Sequence, residues 1–466
     1  MCKIRGMKTS TETLRGLQAL HAAEVRRYLD THPRSVALAD EATRHWLYGL
    51  PMHWMRDWPA PRPLFVAEAH GARLRCVDGH AYDDFCLGDT GAMFGHGPAP
   101  VAQALALQAG RGLTAMLPPE TLPDIGRRLA ALFGLPRWQV TLSATDANRF
   151  VLRWARAITA RPKLLVFEGC YHGTVDDTLV DRADDGRTLA RASLLGQVQD
   201  LAIGTVVVPF NDAAAVEAAL AGGDVAAVLT EPALTNCGLV PPLPGFLEAV
   251  QAACRRHGTL LVLDETHTLS SGPGGLGRQL GLQPDFLVAG KAVAGGMPCA
   301  VYGFTDAVAE RMARTKEAAP EGHSGIGTTL SGGLLGLAAL QACLAEVMTP
   351  EAWARMEAGA ARLQAALERV IAAHALPWSV TRLGARMELQ FCARAPRDAR
   401  EAAAAMHAPL ERLLHLWLLN RGVLLTPFHD MLLVSPETGD AAIDRVARRL
   451  DELLGQLQAG GPPLFS

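Results

Sequence analysis

The sequence lacks the patterns that mark several large classes of protein. Its nine cysteines are scattered over 466 residues without a Cys-x-x-Cys pair, which argues against a structural metal site or a disulfide framework. Neither His-Glu-x-x-His nor Gly-x-Ser-x-Gly occurs, so the signatures of zinc proteases and of many serine hydrolases are missing. We therefore expect no metal site.

The sequence also has little net charge and no long apolar run. A net charge of −3 without a basic cluster argues against nucleic acid or an anionic membrane as a partner. No run is long enough to cross a bilayer, and the first residues lack the apolar core of a secretory signal. The expectation is a cytoplasmic protein that acts on small molecules.

The order of apolar runs predicts an α/β protein of two or three domains. The chain exceeds the roughly 250–300 residues over which one hydrophobic core grows. From about residue 99 to residue 340, helical patterns alternate with short apolar runs, which predicts a large domain with a mostly parallel, seven-stranded sheet between helices. The predicted strands are Gln139–Leu142, Lys163–Phe167, Thr205–Val208, Val225–Thr230, Thr259–Leu263, Asp285–Val288 and Ala300–Gly303.

The two ends of the chain have other patterns. Residues 1–98 form an N-terminal segment with an amphipathic helix at Thr11–Tyr28, strands around an Asp78-Gly79 turn and a glycine-rich loop. Residues 341–466 form a smaller α+β domain. Its predicted helices are Glu351–His374, Arg397–Leu419 and Ala441–Leu457, and its predicted strands are Arg386–Phe391, Gly422–Leu425 and Leu432–Ser435.

A carboxylate and an amine follow two of the predicted strands. The run Thr259–Leu263 ends on Asp264, and the run that starts at Asp285 ends on Lys291. Carboxyl ends of parallel strands meet at one edge, so both groups are expected at the same rim. A lysine can form a Schiff base with an aldehyde cofactor, and a buried carboxylate keeps a pyridine nitrogen protonated. The pair suits pyridoxal 5'-phosphate, with Lys291 and Asp264 as catalytic residues.

Two nucleotide-binding patterns are alternatives for this region. The strand that ends in Asp264-Glu265 is also typical of P-loop NTPases, but alanine follows Gly290-Lys291 where serine or threonine is required. The run 272–277 matches Gly-x-Gly-x-x-Gly, yet it contains a proline and lies a loop's length past the strand. We interpret this run as a flexible loop.

Small polar residues at a predicted helix start could bind an anion. Ser143-Ala-Thr-Asp-Ala follows a strand and opens the predicted helix Arg149–Ile158. Backbone N–H groups at such a start bind phosphate, and the helix dipole adds about 0.3–1 kcal/mol. An ordinary N-cap is the alternative.

Six motifs in order support one family. They are Ser143-Ala-Thr-Asp-Ala, Glu168-Gly-Cys-Tyr-His-Gly173, Glu231-Pro with Asn236-Cys-Gly-Leu-Val-Pro241, Leu263-Asp-Glu265, Gly290-Lys291 and Gly327-Thr-Thr-Leu-Ser-Gly332. From about Gly49 onward, the chain resembles the class III pyridoxal-phosphate-dependent aminotransferases of fold type I. The branch it resembles most is the glutamate-1-semialdehyde aminomutase-like one.

The resemblance implies how the cofactor is held. Tyr171 matches the aromatic residue that covers the cofactor ring. Thr329 matches a residue that reaches the phosphate from the neighbouring subunit, which implies a homodimer with shared active sites. For Glu231, a carboxylate that caps nearby backbone is the alternative. The implied cofactor-binding residues are Ala144, Thr145, Tyr171, Glu231, Asn236, Asp264, Lys291 and Thr329.

The resemblance also suggests substrate contacts. Arg56 falls where the aminomutase-like branch has an arginine that binds a substrate carboxylate, with packing in an aromatic-rich segment as the alternative. Asp89 lies in the loop that shapes the substrate side and would favour a second positive charge, unless it only forms an Asx turn. His172 would contact the substrate or only shape its turn. Two departures from the family are Ala144 in place of glycine and the segment Thr266-His-Thr-Leu-Ser in place of Val-x-Thr-Gly-Phe.

These residues predict a ping-pong aminotransferase that moves an amino group from an amino donor to a carbonyl acceptor through a Schiff base on Lys291. The same residues support an aminomutase, which returns the amino group to the adjacent carbon, or an epimerase. A non-catalytic protein that binds the cofactor is a further alternative.

Overall fold

A computed structural model describes residues 11–459. The helices are α1 (Thr11–Thr31), α2 (Pro33–Ala42), α3 (Ala99–Ala109), α4 (Leu122–Phe133), α5 (Ala144–Thr159), α6 (Ala213–Leu220), α7 (Phe246–His257), α8 (Gly275–Gln279), α9 (Asp306–Ala318), α10 (Leu334–Ala342), α11 (Pro350–Ala373), α12 (Ala399–Ala405), α13 (Ala408–Leu419) and α14 (Asp440–Ala459). The strands are β1 (Val66–His70), β2 (Arg73–Cys76), β3 (Ala81–Asp84), β4 (Arg137–Thr141), β5 (Lys163–Phe167), β6 (Val180–Arg182), β7 (Thr188–Ala190), β8 (Thr205–Val208), β9 (Val225–Thr230), β10 (Leu260–Asp264), β11 (Phe286–Ala289), β12 (Ala300–Phe304), β13 (Ser379–Leu383), β14 (Arg386–Gln390), β15 (Val423–Leu424) and β16 (Met431–Leu433).

The chain folds into two compact units. One comprises residues 98–353 and 396–402, and the other comprises residues 11–97, 354–395 and 403–459. The first unit contains a seven-stranded sheet in the order β4-β12-β11-β10-β9-β5-β8. Strand β12 runs antiparallel to both neighbours, whereas the other pairs are parallel. The predicted fold class is confirmed.

The central strands explain why the sequence pattern was readable. Every residue of β9, β10 and β11 is buried. A strand that is covered on both faces needs apolar residues throughout. Its sequence is therefore a continuous apolar run and not an alternation of apolar and polar residues. The bounds of β5, β8 and β9 match the prediction, and those of β4, β10, β11 and β12 differ from it by one or two residues.

The second unit contains two small sheets. The four-stranded sheet has the order β1-β2-β3-β15, and the three-stranded sheet has the order β13-β14-β16. The Asp78-Gly79 turn joins β2 to β3, while Gly71 joins β1 to β2, so the predicted hairpin is part of a three-stranded meander. Strand β13 was not predicted.

One predicted helix is wrong. Residues 397–419 form two helices, α12 and α13, instead of one. The second starts after His407, whose side chain accepts a hydrogen bond from Leu410 N, and Pro409 lies in its first turn. Proline lacks an N–H and is tolerated in a first turn but not inside a helix, so the helix ends and a new one begins.

Within residues 11–459 no single helix is long and apolar enough to span a membrane. One pair of helical segments, Leu334–Val347 and Pro350–Ala373, meets the length and composition requirement only when taken together across a 71° bend.

Candidate active site

Three neighbouring parallel strands end at one rim of the seven-stranded sheet. Leu263 pairs with Thr230 of β9, and Asp264 pairs with Val288 of β11. The residues that follow these strands therefore share an edge, as the sequence predicted for the amine and the carboxylate. The structure brings together Glu231 after β9, Asp264 at the end of β10 and Lys291 after β11.

Asp264 is buried and held by three donors. One of its oxygens, Oδ2, accepts a hydrogen bond from Asn148 Nδ2 at 2.8 Å and lies 3.0 Å from His172 Nδ1. The other, Oδ1, accepts from Thr266 N at 3.1 Å. Asn148 also donates to the backbone oxygen of His172 at 3.1 Å, which ties the two supporting residues to each other.

Burial and pairing have opposite effects on the two titratable groups. Burial by itself raises the pKa of Asp264, but the hydrogen bond and positive charge of His172 outweigh it and lower that pKa below its usual value. Burial likewise lowers the pKa of His172, and Asp264 reverses this and raises it. At neutral pH the pair is therefore a buried imidazolium and carboxylate, and Asp264 is ionised. His172, predicted to contact the substrate or only to shape its turn, bonds the Asp264 carboxylate.

Helix α5 begins beside the turn that carries Lys291. Ser143 is its N-cap, and the Ser143 hydroxyl accepts from Asp146 N at 3.2 Å, so the N-cap alternative holds for this side chain. Ala144 and Thr145 follow, in the first turn, whose N–H donors have no partner inside the helix. A Cβ on Gly290 would lie 2.9 Å from the Ala144 Cβ, so only glycine allows this close approach. The helix start thus offers backbone donors for a phosphate next to Lys291.

Lys291 is held in an unusual conformation and contacts a histidine. Its φ is 50°, a left-handed value that costs a non-glycine residue roughly 1–3 kcal/mol and is typical of functional sites. Lys291 Nζ lies 2.5 Å from His267 Nε2. His267 Nδ1 in turn lies 2.6 Å from Thr235 Oγ1 and 3.7 Å from Glu231 Oε2. In the sequence, His267 stands out only as part of a departure from the family, and its contact with the lysine was not predicted.

The remaining predicted cofactor residues lie in the same unit. Asn236 Nδ2 is 3.3 Å from Thr235 Oγ1 and from His267 Nδ1. Tyr171 exposes 38% of its surface. Thr329 is exposed in the segment where Thr328 and Ser331 hydroxyls are 2.8 Å apart. Its contribution to a neighbouring subunit stays a prediction.

Two of the three predicted substrate residues, Arg56 and Asp89, belong to the other unit. The Arg56 side chain is 58% exposed, lies over the Tyr48 ring at 4.7 Å and has its Nε 3.9 Å from Asp57 Oδ1. Asp89 is half-buried with a φ of 48°. Its neighbour Thr90 is buried and accepts a hydrogen bond from Arg386. The substrate roles of Arg56 and Asp89 stay predictions.

The glycine-rich run after β10 is a packed turn, which corrects the prediction of a flexible loop. Glu265 is buried, and its two oxygens accept from Leu276 N at 2.9 Å and Gly277 N at 2.6 Å. It also accepts from Thr268. Burial raises the pKa of Glu265 to about 7, and the hydrogen bonds from Leu276 N, Gly277 N and Thr268 oppose this shift and fasten the run to the end of β10.

Gly275→Ala is expected to destabilise the protein by roughly 2–4 kcal/mol, because it combines left-handed strain with overpacking. Gly275 has a φ of +84°, and a Cβ there would lie 2.3 Å from Glu265 Oε2. Gly281 is a matched control, because its φ is +69° but nothing lies within 4 Å of an added Cβ. Urea unfolding of both variants measures the difference, and equal losses would contradict the close-packing argument.

The chain is similar to known enzymes over most of its length. A model of the family described as Aminotransferase class-III matches residues 55–450. A glutamate-1-semialdehyde 2,1-aminomutase from Myxococcus xanthus (strain DK1622) is 34% identical over 403 residues, which cover 84% of this chain and 92% of that protein.

Solved structures extend this similarity to the fold. A glutamate-1-semialdehyde-aminomutase from Pseudomonas aeruginosa PAO1 is 48% identical with a TM-score of 0.93, covering 97% of this chain and 100% of that chain. A lysine-to-alanine variant of that enzyme has been solved in complex with PMP. A β-phenylalanine aminotransferase from Variovorax paradoxus is 28% identical with a TM-score of 0.82, covering 95% of this chain and 98% of that chain.

Proposed function

The chain belongs to the class III aminotransferase family, and from this premise we propose that it is an aminomutase that moves an amino group between adjacent carbons of one small substrate. The cofactor is pyridoxal 5'-phosphate. The observation that carries the proposal is the rim at which Asp264 and Lys291 follow neighbouring parallel strands. The similarity to aminomutases from Myxococcus and Pseudomonas favours this alternative over the aminotransferase predicted from the sequence.

The residues present fit the cofactor. A phosphate suits the first-turn donors of α5 at Ala144 and Thr145, next to Gly290. The buried carboxylate of Asp264, which His172 keeps ionised, would hold a proton on the ring nitrogen. Tyr171 would cover the ring, and Lys291 Nζ would be the point of covalent attachment.

When bound, pyridoxal phosphate supplies an aldehyde that reacts with amines and a protonated ring that accepts electrons from the substrate carbon. The side chains of the protein would orient the cofactor and move the proton. Lys291 Nζ would take a proton from the substrate carbon as a base and then return it to another carbon as an acid. Asn148 and His172 hold Asp264 in place during this transfer, because they bond the oxygen Oδ2. We also propose a homodimer in which Thr329 of each subunit completes the phosphate site of the other.

The enzyme loaded with its cofactor is expected to isomerise glutamate-1-semialdehyde without any added oxo acid, because the amino group leaves and re-enters the same molecule. The measurement follows conversion to the isomer with the amino group moved from carbon 2 to carbon 1, by chromatography. With an aminotransferase, the reaction would instead stop once each enzyme molecule has taken up one amino group. It would continue only when a carbonyl acceptor is added. That second outcome would overturn the aminomutase and support the family's other activity, which the similarity to the Variovorax enzyme makes the second candidate.

A further inference from the structure

Three buried side chains form a row that ends on the amine of the half-buried Lys291. Glu231, Thr235 and His267 are 3%, 1% and 5% exposed. Thr235 Oγ1 donates to Glu231 Oε2 through a very short contact and lies 2.6 Å from His267 Nδ1. On the other side of the ring, His267 Nε2 lies 2.5 Å from Lys291 Nζ. The row therefore connects the end of β9 to the turn after β11 through the segment that follows β10.

When the imidazole is neutral, the hydrogens in this row have one consistent order. A carboxylate only accepts, so the single hydroxyl hydrogen of Thr235 is used by Glu231. Thr235 Oγ1 must then accept the hydrogen of His267 Nδ1, and the longer 3.3 Å approach of Asn236 Nδ2 is a second donor to the same oxygen. An imidazole with its hydrogen on Nδ1 has a lone pair on Nε2. That lone pair faces Lys291 Nζ.

We propose that His267 is a positioning residue for Lys291, because its Nε2 accepts a hydrogen from the lysine nitrogen while Thr235 and Glu231 fix the tautomer that makes this possible. The inference rests on the proposed function only in taking Lys291 as the lysine that carries the cofactor. An acceptor backed by a carboxylate stabilises a positive charge on the lysine nitrogen. His267 therefore fixes the position of this nitrogen through the 2.5 Å contact with Nε2.

The titratable groups around the His267 ring come from three segments. Glu231 follows β9, and Lys291 follows β11. Asp264 and Glu265 precede His267 on its own segment, but their recorded hydrogen bonds go to His172 and Asn148, and to Thr268 and the α8 turn. Glu231 and Lys291 flank the imidazole, with Glu231 Oε2 3.7 Å from Nδ1 and Lys291 Nζ 2.5 Å from Nε2.

The test is a pH titration of the visible absorption of the lysine-bound cofactor in the holoenzyme, with no substrate present. His267→Met is expected to lower the titration midpoint by about one pH unit or more, since the acceptor is gone. His267→Gln should recover part of the shift, because its carbonyl oxygen can accept the lysine hydrogen. Thr235→Val should cause a smaller shift in the same direction, because the ring loses its link to Glu231.

Thr268→Val is the matched control, since it removes a buried hydroxyl of the same segment that bonds Glu265 and not the row. Its midpoint should equal that of the wild type even if its melting temperature falls. Unchanged midpoints in His267→Met and His267→Gln, with a normal absorption band, would overturn this inference alone. A wild-type protein that shows no lysine-bound band at all would overturn the proposed function, and this inference with it.

Discussion

Lys291→Ala is expected to reduce kcat by about four orders of magnitude or more, because one nitrogen serves both as the attachment point and as the group that moves the proton. The visible band of the lysine-bound cofactor should disappear, while the cofactor still binds non-covalently through the helix α5 start and Asp264. Steady-state kinetics and absorption spectra measure the two effects.

Lys163→Ala is the matched control for this change. Lys163 is the first residue of β5, so it lies where the parallel strands begin and not where they end. Its amine lies 2.8 Å from Asp224. Its loss should leave turnover unchanged. The sequence contains only five lysines, so borohydride reduction followed by peptide mapping gives a clear assignment. A cofactor tag on Lys163 or Lys316 instead of Lys291 would contradict the site described above.

Asp264→Ala is expected to destabilise the protein by about 3–5 kcal/mol and to abolish nearly all turnover, because it breaks the buried pair with His172 and removes the acceptor of Asn148 Nδ2. Asp264→Asn keeps the shape and should recover stability more than activity, since an amide cannot hold a proton on the ring nitrogen. Thermal unfolding and kcat separate the two effects. Asp224→Ala provides the control, because its surface ion pair with Lys163 should contribute only about 0–1 kcal/mol.

The stability loss in Asp264→Ala should depend on pH in a defined direction. The pKa of Asp264 is lowered in the folded protein, so its contribution is present above the unfolded pKa and is lost as the pH falls through the folded pKa. The pKa of His172 is raised, so its contribution is present at low pH and is lost as the pH rises through that higher pKa. Melting temperatures of wild type and variant should therefore converge only as the pH falls from 3.8 towards the folded Asp264 pKa of about 2. A difference that stays constant down to the pH at which both unfold would contradict the ion pair.

The position of Asp264 and Lys291 at one rim of the sheet could be predicted from the sequence, because it follows from the order of the strands alone. Buried parallel strands are apolar throughout, and the polar residue that ends each one marks the edge of the sheet. This is why Asp264 and Lys291 could be placed together, and why the fold class and the family resemblance were confirmed.

Other features depend on contacts between residues far apart in sequence. The bonds of Asn148 and His172 to Asp264 join α5 and the segment after β5 to the end of β10. The contact of His267 with Lys291 depends on the path of the segment after β10. The glycine-rich run 272–277 also depends on such contacts. Its sequence predicts a flexible loop, but hydrogen bonds to the buried Glu265 hold it in place.

The sequence by itself determined the class of chemistry, since the order of apolar runs and the residues that end them are local properties. Tertiary structure decided the electrostatics of the site, because a pKa depends on burial and on the nearest charge. His172 and Asp264 are 92 residues apart along the chain, and only folding brings them to 3.0 Å.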